Sequence, residues 1–408
     1  PGHIHRRLKA RYQALIGIDE GVGNGGHALG MGHQPPDIVI SLLRQAQRVV
    51  PVIEGVPSAL GQGLVNMHTR AGNAVDGFRH KGGVQAVALG DGLDHQLKGH
   101  HLVGGGQRGV VPEIAGRAHI EAISDLTYRA FASAGLRPED IDLVGVTNRP
   151  GLIGALLVGL NFAKSLAFSY QKPLVAVNHI KGHIAASYLA YPDLQPPFLA
   201  LCISGGHSSI IHVKDYNEME TLGRTRDDAA GEAFDKAARV IGLPYPGGKE
   251  MDRLAAAGNP NALKLPKTAL PDSIDFSFSG LKTAFLSYVN TQNMKGLPIC
   301  REDAAASFTQ AVVSAIIQKS EQALDITGAS KLVLAGGVSA NSHLRNAVTE
   351  LCKKKNVSLY LPPLSLCGDN AAMIGAAAYY EYQSGARADC SLNAFAAHGI
   401  EELKLVRN

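Results

Sequence analysis

Several features are scarce in this 408-residue sequence, and each absence narrows the class of protein. No apolar run reaches the roughly 18 residues that a membrane-crossing helix needs, and the first residues carry no secretion signal, so we expect no membrane association. The five cysteines include no Cys-x-x-Cys pair, which argues against a disulfide framework and favours a reducing, cytoplasmic compartment. The net charge of +4 is too small to indicate nucleic-acid binding by itself.

The composition changes sharply along the chain. Residues 1–108 hold 11 basic and 7 acidic residues, 9 of the 16 histidines and 21 of the 46 glycines, but only two aromatic residues, Tyr12 and Phe78. Apart from short apolar runs at 38–43 and 49–53, which could be strands, this segment shows no hydrophobic periodicity. We therefore leave 1–108 unassigned, as a segment that is either disordered or foreign to the rest of the chain.

From Gly109 onward, buried-strand patterns alternate with helical ones. Alternation of this kind, with few long loops, is typical of α/β proteins, in which helices cover the sheets. The length allows two to three domains. The predicted strands are 143–147, 174–177, 198–203, 208–213, 331–334 and 357–361, and the predicted helices are 118–134, 152–170, 179–189, 227–241, 304–327, 339–353 and 367–382.

His179 and His183 are four residues apart in a predicted helix. Side chains at this spacing lie on one face, so both imidazoles can bind one divalent transition-metal ion, with carboxylate or water completing the shell. The alternative is an incidental pair of histidines. The zinc-protease pattern H-E-x-x-H has the same spacing, but Ile180 stands where its glutamate would be, so protease chemistry lacks its general base.

Three glycine-rich turns lie at predicted strand ends, at 204–206, 245–248 and 336–341. Backbone N–H groups exposed in such turns, and at helix N-termini, bind phosphate. One such turn is common in any α/β fold, whereas three together favour a nucleotide cleft.

Carboxylates lie close to these turns. Asp235, in a predicted helix, could receive a ribose hydroxyl, with a solvated helix charge as the alternative, and Asp252 follows Gly248 by four residues. Asp369 lies at the start of the last predicted helix, where the helix dipole favours an anion and where simple capping is the alternative role.

Six motifs occur in order along the second part of the chain. They are VNHIKGHI (177–184), CISGGHSS (202–209), DDAAGEAFDKAARVIGLPYPGG (227–248), FSFSGLKT (276–283), LAGGVSAN (334–341) and GDNAAMI (368–374). Together they resemble the TsaD family, the tRNA N6-adenosine threonylcarbamoyltransferases once described as sialoglycoprotease-like. The resemblance extends from about Gln107 to the C-terminus. It implies an α/β, two-lobed fold of the actin/sugar-kinase/Hsp70 type around a nucleotide cleft.

The resemblance divides the chain into a partial first lobe, 109–205, and a second lobe, 206–408, whose C-terminal helix returns to the first. Family chains begin with a strand of the type GIETSCDET and two further strands, and 1–108 lacks that pattern, so we expect the first lobe to lack its initial strands. Three origins of this segment stay open: an unrelated extension, a strongly divergent lobe, or a wrong reading frame joined to a genuine one. The change in composition near Gln107 favours the last.

The resemblance also implies a reaction. A threonylcarbamoyl group passes from threonylcarbamoyl-AMP to N6 of the adenosine next to the anticodon, in tRNAs that read codons beginning with A. No side-chain nucleophile is expected, because AMP is already a good leaving group, and a metal would polarise the carbonyl. The implied metal ligands are His179, His183 and Asp369, holding one Fe²⁺ per subunit, with Zn²⁺ as the alternative. The implied substrate-binding positions are Cys202, Ile203, Ser204, Gly205, Gly206, Asp235, Gly248, Asp252 and Asn341.

The implied partners are tRNA, a paralogous dimerisation subunit of the TsaB type, a P-loop ATPase of the TsaE type and a synthase that makes the adenylate. The location implied is the cytoplasm, with an organelle as the alternative. Two other functions compete. A small-molecule kinase of the same fold explains the glycine turns but gives the histidine pair no role, and an inert scaffold paralogue would not be expected to keep both histidines and Asp369.

Overall fold

The computed structural model describes residues 86–89, 112–267, 270, 272–397 and 399–400. The apolar runs at 38–43 and 49–53 lie outside these residues. The strands are β1 Ala86–Leu89, β2 Leu143–Arg149, β3 Leu174–Asn178, β4 Phe198–Ile203, β5 Ser208–Val213, β6 Met219–Arg224, β7 Lys331–Ala335 and β8 Ser358–Tyr360. The helices are α1 Pro112–Ala134, α2 Ile153–Ser169, α3 His179–Ala190, α4 Ala230–Val240, α5 Gly248–Ala255, α6 Ser279–Met294, α7 Arg301–Thr327, α8 Ser342–Lys355 and α9 Ala371–Gln383. In this part of the chain, no helix is long and apolar enough to cross a membrane.

The first sheet contains three parallel strands in the order β1-β2-β3. All seven residues of β2 are buried, because helices cover both faces of the sheet. On one face Val144 packs with Leu156 of α2. On the other face Gly145 lies against α9, and a β-carbon on this glycine would come within 2.6 Å of Cβ of Ala378. Helix α9 therefore packs on the first sheet.

Strand β1 belongs to the segment that the sequence left unassigned. It pairs in parallel with β2, with Ala86 opposite Leu143 and Leu89 opposite Val146. Four apolar residues without a neighbouring periodic pattern cannot be told from any other short apolar run. Segment 1–108 therefore supplies a strand of the first sheet that the sequence did not predict.

The second sheet contains five strands in the order β6-β5-β4-β7-β8, with β4 antiparallel to β5 and parallel to β7. Alternate residues of β4 face opposite sides. Leu201 packs into the core formed with α4 to α8, whereas Cys202 packs into a core shared with α3, α9 and the first sheet. The first sheet thus ends with β3, and the second sheet begins with β4.

Besides β1, two elements were not predicted, β6 and α6. Strand β6 lies at a sheet edge. Its buried and exposed residues do not alternate regularly, so the sequence lacks the period of two that predicts a strand. Helix α6 contains aromatic and β-branched residues of modest helix propensity. Its buried residues Leu281, Phe285 and Val289 nevertheless repeat every four positions, so packing on the core stabilises the helix.

Asp227 stabilises the start of α6. Its carboxylate accepts hydrogen bonds from the N–H groups of Phe278 (2.8 Å) and Ser279 (3.2 Å) and from the hydroxyls of Ser277 (2.5 Å) and Ser279 (2.8 Å). Burial alone would raise the pKa of Asp227, but these hydrogen bonds outweigh burial and lower the pKa below its ordinary value of 3.8.

We expect Asp227→Asn to lower the free energy of unfolding at neutral pH by about 1 kcal/mol, because the amide has one acceptor oxygen in place of two. A depressed folded-state pKa stabilises the fold above the unfolded value of 3.8, and this stabilisation is lost as the pH falls through the lower folded value. Melting curves at decreasing pH should therefore show the difference in Tm between wild type and Asp227→Asn becoming smaller below pH 3.8. Asp272→Asn, at an exposed position nearby, is the control. A gap that stays constant with pH would contradict this role of the carboxylate.

Candidate active site

His179 and His183 lie one helical turn apart at the start of α3. The Asn178 side chain caps this helix by accepting the N–H of Ile180 at 2.8 Å, which orients the first turn. Both imidazoles are buried, and their ring centroids are 4.7 Å apart. The structure therefore places both side chains on one face, as their spacing predicted.

Asp369 lies opposite the two histidines, just before α9. Its Oδ1 is 3.4 Å from Nε2 of His179 and 3.1 Å from Nε2 of His183. The three ligand atoms lie within 4.8 Å of one another. Asp369 does not cap α9, because Asn370 accepts the N–H of Met373 and occupies the capping position. The capping role considered for Asp369 is therefore wrong.

Asp369 supplies this trio with an anionic oxygen. Burial alone would raise the pKa of Asp369, but hydrogen bonds and charge from His179 and His183 outweigh burial and hold that pKa well below its usual range. The carboxyl is therefore ionised at neutral pH. Two imidazoles and one carboxylate form a donor set typical of non-haem Fe(II) sites, in which further positions stay open for substrate or water. These residues fit one divalent transition-metal ion.

The predicted substrate loop, residues 202–206, comprises the end of β4 and the turn toward β5. The N–H of Ser204 donates to the carbonyl of His207 at 2.7 Å, and Oγ of Ser204 accepts the N–H of His207 at 3.1 Å. Gly205 and Gly206 are exposed, and no atom lies within 4 Å of where their β-carbons would stand. The turn is thus closed by its own hydrogen bonds and open above the glycines.

Cys202, at the start of the substrate loop, is fully buried in the core that α3 and α9 share with both sheets. Burial raises the pKa of its thiol to about 12, and the negative charge of Asp369 adds to the shift. A thiol with this pKa is protonated at neutral pH and is a poor nucleophile. Cys202 is therefore not an activated nucleophile.

Two glycines bring other elements against the substrate loop: Gly336, in a glycine-rich turn that the sequence singled out, and Gly231, which it did not. Gly336, at the end of β7, has a φ of +87°, and a β-carbon there would overlap the backbone oxygen of Ile203. Gly231 in α4 donates its N–H to the carbonyl of Ser204 at 3.3 Å, and a β-carbon there would lie 2.7 Å from that oxygen. A glycine beside a predicted strand end or helix start is the signal that could have found them.

Contacts also link the other predicted substrate positions. Oδ1 of Asp235 accepts the N–H of Gly247 at 2.8 Å, beside Gly248. Asp252 lies one turn into α5 from Gly248, and its Oδ1 accepts both the N–H and the hydroxyl of Ser342 at 3.0 Å. These contacts join α4, α5 and the start of α8, so the positions lie in one continuous region.

Asn341 and Asp252 are partly engaged by the protein itself. Oδ1 of Asn341 accepts the N–H of Leu344 at 2.9 Å and so caps α8. Oδ1 of Asp252 also lies 3.0 Å from Nδ1 of His343. A nucleotide contact would therefore use the second carboxylate oxygen of Asp252 and the amide N–H groups of Asn341.

Arg345 joins the glycine turn after β7 to the segment that carries Asp369. From α8, its Nη1 donates to the carbonyls of Ser339 (3.1 Å) and Pro362 (3.2 Å). The same nitrogen lies 3.9 Å from Sγ of Cys367, two residues before Asp369. The turn predicted to bind the nucleotide is thus connected to the segment that holds the third candidate ligand.

Comparison with known proteins decides the family. The TsaD family model, described as tRNA N6-adenosine threonylcarbamoyltransferase, matches residues 99–376. The chain belongs to this family. The match begins shortly before Gln107, where the motifs placed its start, so the family identified from the sequence is confirmed.

Curated relatives cover most of the chain. The tRNA N6-adenosine threonylcarbamoyltransferase of Clostridium botulinum (strain 657 / Type Ba4) is 51% identical over 300 residues, which are 73% of this chain and 87% of that protein. The enzyme of the same name from Clostridium kluyveri (strain ATCC 8527) is 48% identical over 321 residues, or 78% and 92% of the two chains. The prediction of a tRNA-modifying transferase is confirmed.

The fold has a counterpart among solved structures. HypF from T. kodakarensis superposes with a TM-score of 0.51 at 15% identity, covering 64% of this chain and 43% of that one. Identity this low speaks only for the fold. The predicted α/β fold of the actin/sugar-kinase/Hsp70 type is confirmed.

Proposed function

We propose that this protein forms t6A by transferring the threonylcarbamoyl group of threonylcarbamoyl-AMP to N6 of the adenosine next to the anticodon, in tRNAs that read codons beginning with A. The observation that carries the proposal is the convergence of His179, His183 and Asp369 in a chain 51% identical to a curated enzyme of that name. The site keeps all three candidate ligands, which an inert scaffold would not require.

The chemistry follows from the donor set and from the absence of an activated nucleophile among the substrate-loop residues. His179, His183 and Asp369 would hold one divalent ion, Fe²⁺ or alternatively Zn²⁺. When bound, the ion would supply Lewis-acid polarisation of the carbamoyl carbonyl. In the transfer the adenosine N6 forms a bond to the carbonyl carbon and releases one proton to solvent, while the bond from that carbon to the AMP oxygen breaks and AMP leaves with the electron pair of that bond. Cys202 is protonated and buried, so it forms no acyl intermediate.

The remaining site residues bind and orient the adenylate. The open turn at Gly205 and Gly206, next to the start of α4, suits the phosphate, because backbone N–H groups and a helix N-terminus attract anions. Asp235 and Asp252 suit the ribose hydroxyls. Holding both reactants in one geometry lowers the entropic part of the barrier.

Partners extend the proposal. A separate synthase supplies threonylcarbamoyl-AMP, and subunits of the TsaB and TsaE types assemble with this chain in the cytoplasm. Residues 109–408 contain 28 basic and 28 acidic residues and so carry no net charge. Since phosphate contacts need basic side chains, we infer that the partners share in the tRNA-binding surface.

The direct test is reconstitution. The full chain, the synthase, both partner subunits and unmodified tRNA should yield t6A, measured by mass spectrometry of the tRNA nucleosides. The proposal would be wrong if an assembled, metal-loaded complex formed no t6A. It would also be wrong if the protein phosphorylated a small molecule instead.

Asp235→Ala should raise the KM for threonylcarbamoyl-AMP by about tenfold or more, because a hydrogen bond to a charged group contributes roughly 1.5–3 kcal/mol. The effect on kcat should be smaller, since the lost contact binds the adenylate away from the reacting carbonyl. Steady-state kinetics with purified adenylate measure both constants. The exposed change Asp272→Ala is the matched control, and an unaltered KM in Asp235→Ala would remove Asp235 from the binding site.

A further inference from the structure

The two elements that supply the candidate metal ligands, α3 and the segment leading into α9, are joined at a second point by an ion pair. Nζ of Lys181 lies 2.6 Å from Oε1 of Glu381, and the two side chains are only 12% and 13% exposed. Lys181 stands between His179 and His183 in the sequence, and Glu381 lies about three helical turns beyond Asp369. The first turn of α3 is therefore connected to α9 at two points, at Asp369 before its start and at Glu381 near its end.

The helices pack closely between these two points. A β-carbon on Gly182 would lie 2.7 Å from Cδ1 of Ile374 and 3.4 Å from Cγ of Met373. The glycine therefore lets α3 pack closely against apolar side chains of α9. Apolar burial drives the helices together and is not directional by itself. A directional, charged contact adds a further constraint on their longitudinal register.

The end of α9 that carries Glu381 is itself held in place. The ring of Tyr380 stacks on Tyr216 with centroids 4.3 Å apart and planes 5° from parallel. The carbonyl of Tyr380 accepts a hydrogen bond from Nδ2 of Asn217 at 2.9 Å. These contacts hold the end of α9 in place, so Glu381 has a fixed position at which Lys181 binds it.

We propose that the Lys181–Glu381 ion pair sets the register of α3 on α9, and thereby the geometry in which His179 and His183 face Asp369. Both are positioning residues, since neither is a metal ligand. The inference rests on the proposed function only in that the trio binds a metal. A buried ion pair is seldom more stabilising than apolar side chains of the same size, and its best-attested use is to specify register. The pair should therefore govern metal affinity more than stability.

Two single variants and their combination separate these effects. Lys181→Met and Glu381→Leu each leave one largely buried charge without its partner, so each should lower Tm. The double variant removes both charges at similar volume, so its Tm should return to near the wild-type value. Its affinity for Zn²⁺, measured by competition with a chromophoric chelator, should remain about tenfold weaker, the lower end of what losing an outer-shell contact costs a metal site. Zn²⁺ binding by the His183→Ala variant measures binding outside the proposed site, and it is subtracted from the binding of every other variant.

Glu381→Gln gives a second test in a protein that keeps its shape and a weaker hydrogen bond, and it too should bind Zn²⁺ less tightly. The control is Lys214→Met combined with Glu220→Leu, which removes an exposed pair 2.8 Å apart and should leave Zn²⁺ affinity unchanged. Wild-type affinity in the stable double variant, or in Glu381→Gln, would overturn the register role. A wild-type protein that binds neither Zn²⁺ nor Fe²⁺ would instead refute the metal site itself.

Discussion

Replacing His183 with alanine is expected to abolish t6A formation and to weaken binding of Fe²⁺ or Zn²⁺ by at least about a hundredfold, more than the loss of an outer-shell contact typically costs. The reason is geometric. His183 is 1% exposed, and its Nε2 lies 3.1 Å from Oδ1 of Asp369, so it contributes one of three converging donor atoms. Without it, one imidazole and one carboxylate remain, a set that holds divalent ions weakly.

The measurement pairs metal content after anaerobic purification with nucleoside analysis of the modified tRNA. Asp369→Asn removes the anion at nearly constant volume and should behave like His183→Ala. His212→Ala, on β5 and outside the trio, is the matched control and should retain metal and activity. Circular dichroism shows whether each variant folds. A folded His183→Ala protein with full metal content and undiminished tRNA modification would show that the metal role is wrong.

Gly336→Ala is expected to lower the free energy of unfolding by more than about 2 kcal/mol and to raise the KM for threonylcarbamoyl-AMP. Two costs combine at this position. A φ of +87° is strained for any residue with a β-carbon, and that β-carbon would overlap the backbone oxygen of Ile203. Relief requires the turn after β7 to move away from the substrate loop, so stability and adenylate binding should fall together.

The neighbouring change Gly337→Ala is a control of equal size. No atom lies within 4 Å of where a β-carbon would stand on Gly337, so we expect its stability to change by less than about 1 kcal/mol. Urea unfolding and steady-state kinetics on both variants provide the comparison. Equal stabilities for the two variants would mean that the turn after β7 does not need the close approach at Gly336.

Long periodic elements were predictable from local patterns. Helix α3 was predicted over 179–189 and spans His179–Ala190. Strand β4 was predicted over its full length, since a short apolar run bounded by turn residues is typical of a buried strand. Strand β6 and helix α6 were not predicted. Which of their residues are buried depends on where the core lies, and the sequence does not show this.

The family resemblance predicted that His179, His183 and Asp369 act together, but the distances between them were not predictable from the sequence. The spacing of His179 and His183 placed two imidazoles on one face, and the six motifs identified the family. Neither the motif that contains His183 nor the motif that contains Asp369 predicts that the two side chains lie 3.1 Å apart. The close approaches at Gly231 and Gly336 were likewise not predicted, because a glycine's role is decided by what packs against it.

The sequence by itself determined the family, the α/β class and the residue types of the site, because these depend on local periodicity and on short motifs. The tertiary structure alone decided which distant residues meet: Lys181 with Glu381, 200 positions apart, and Asp252 with Ser342, 90 positions apart. The physical reason is that local patterns arise from backbone geometry over one or two turns. Long-range pairs depend on how whole helices and strands pack around shared cores.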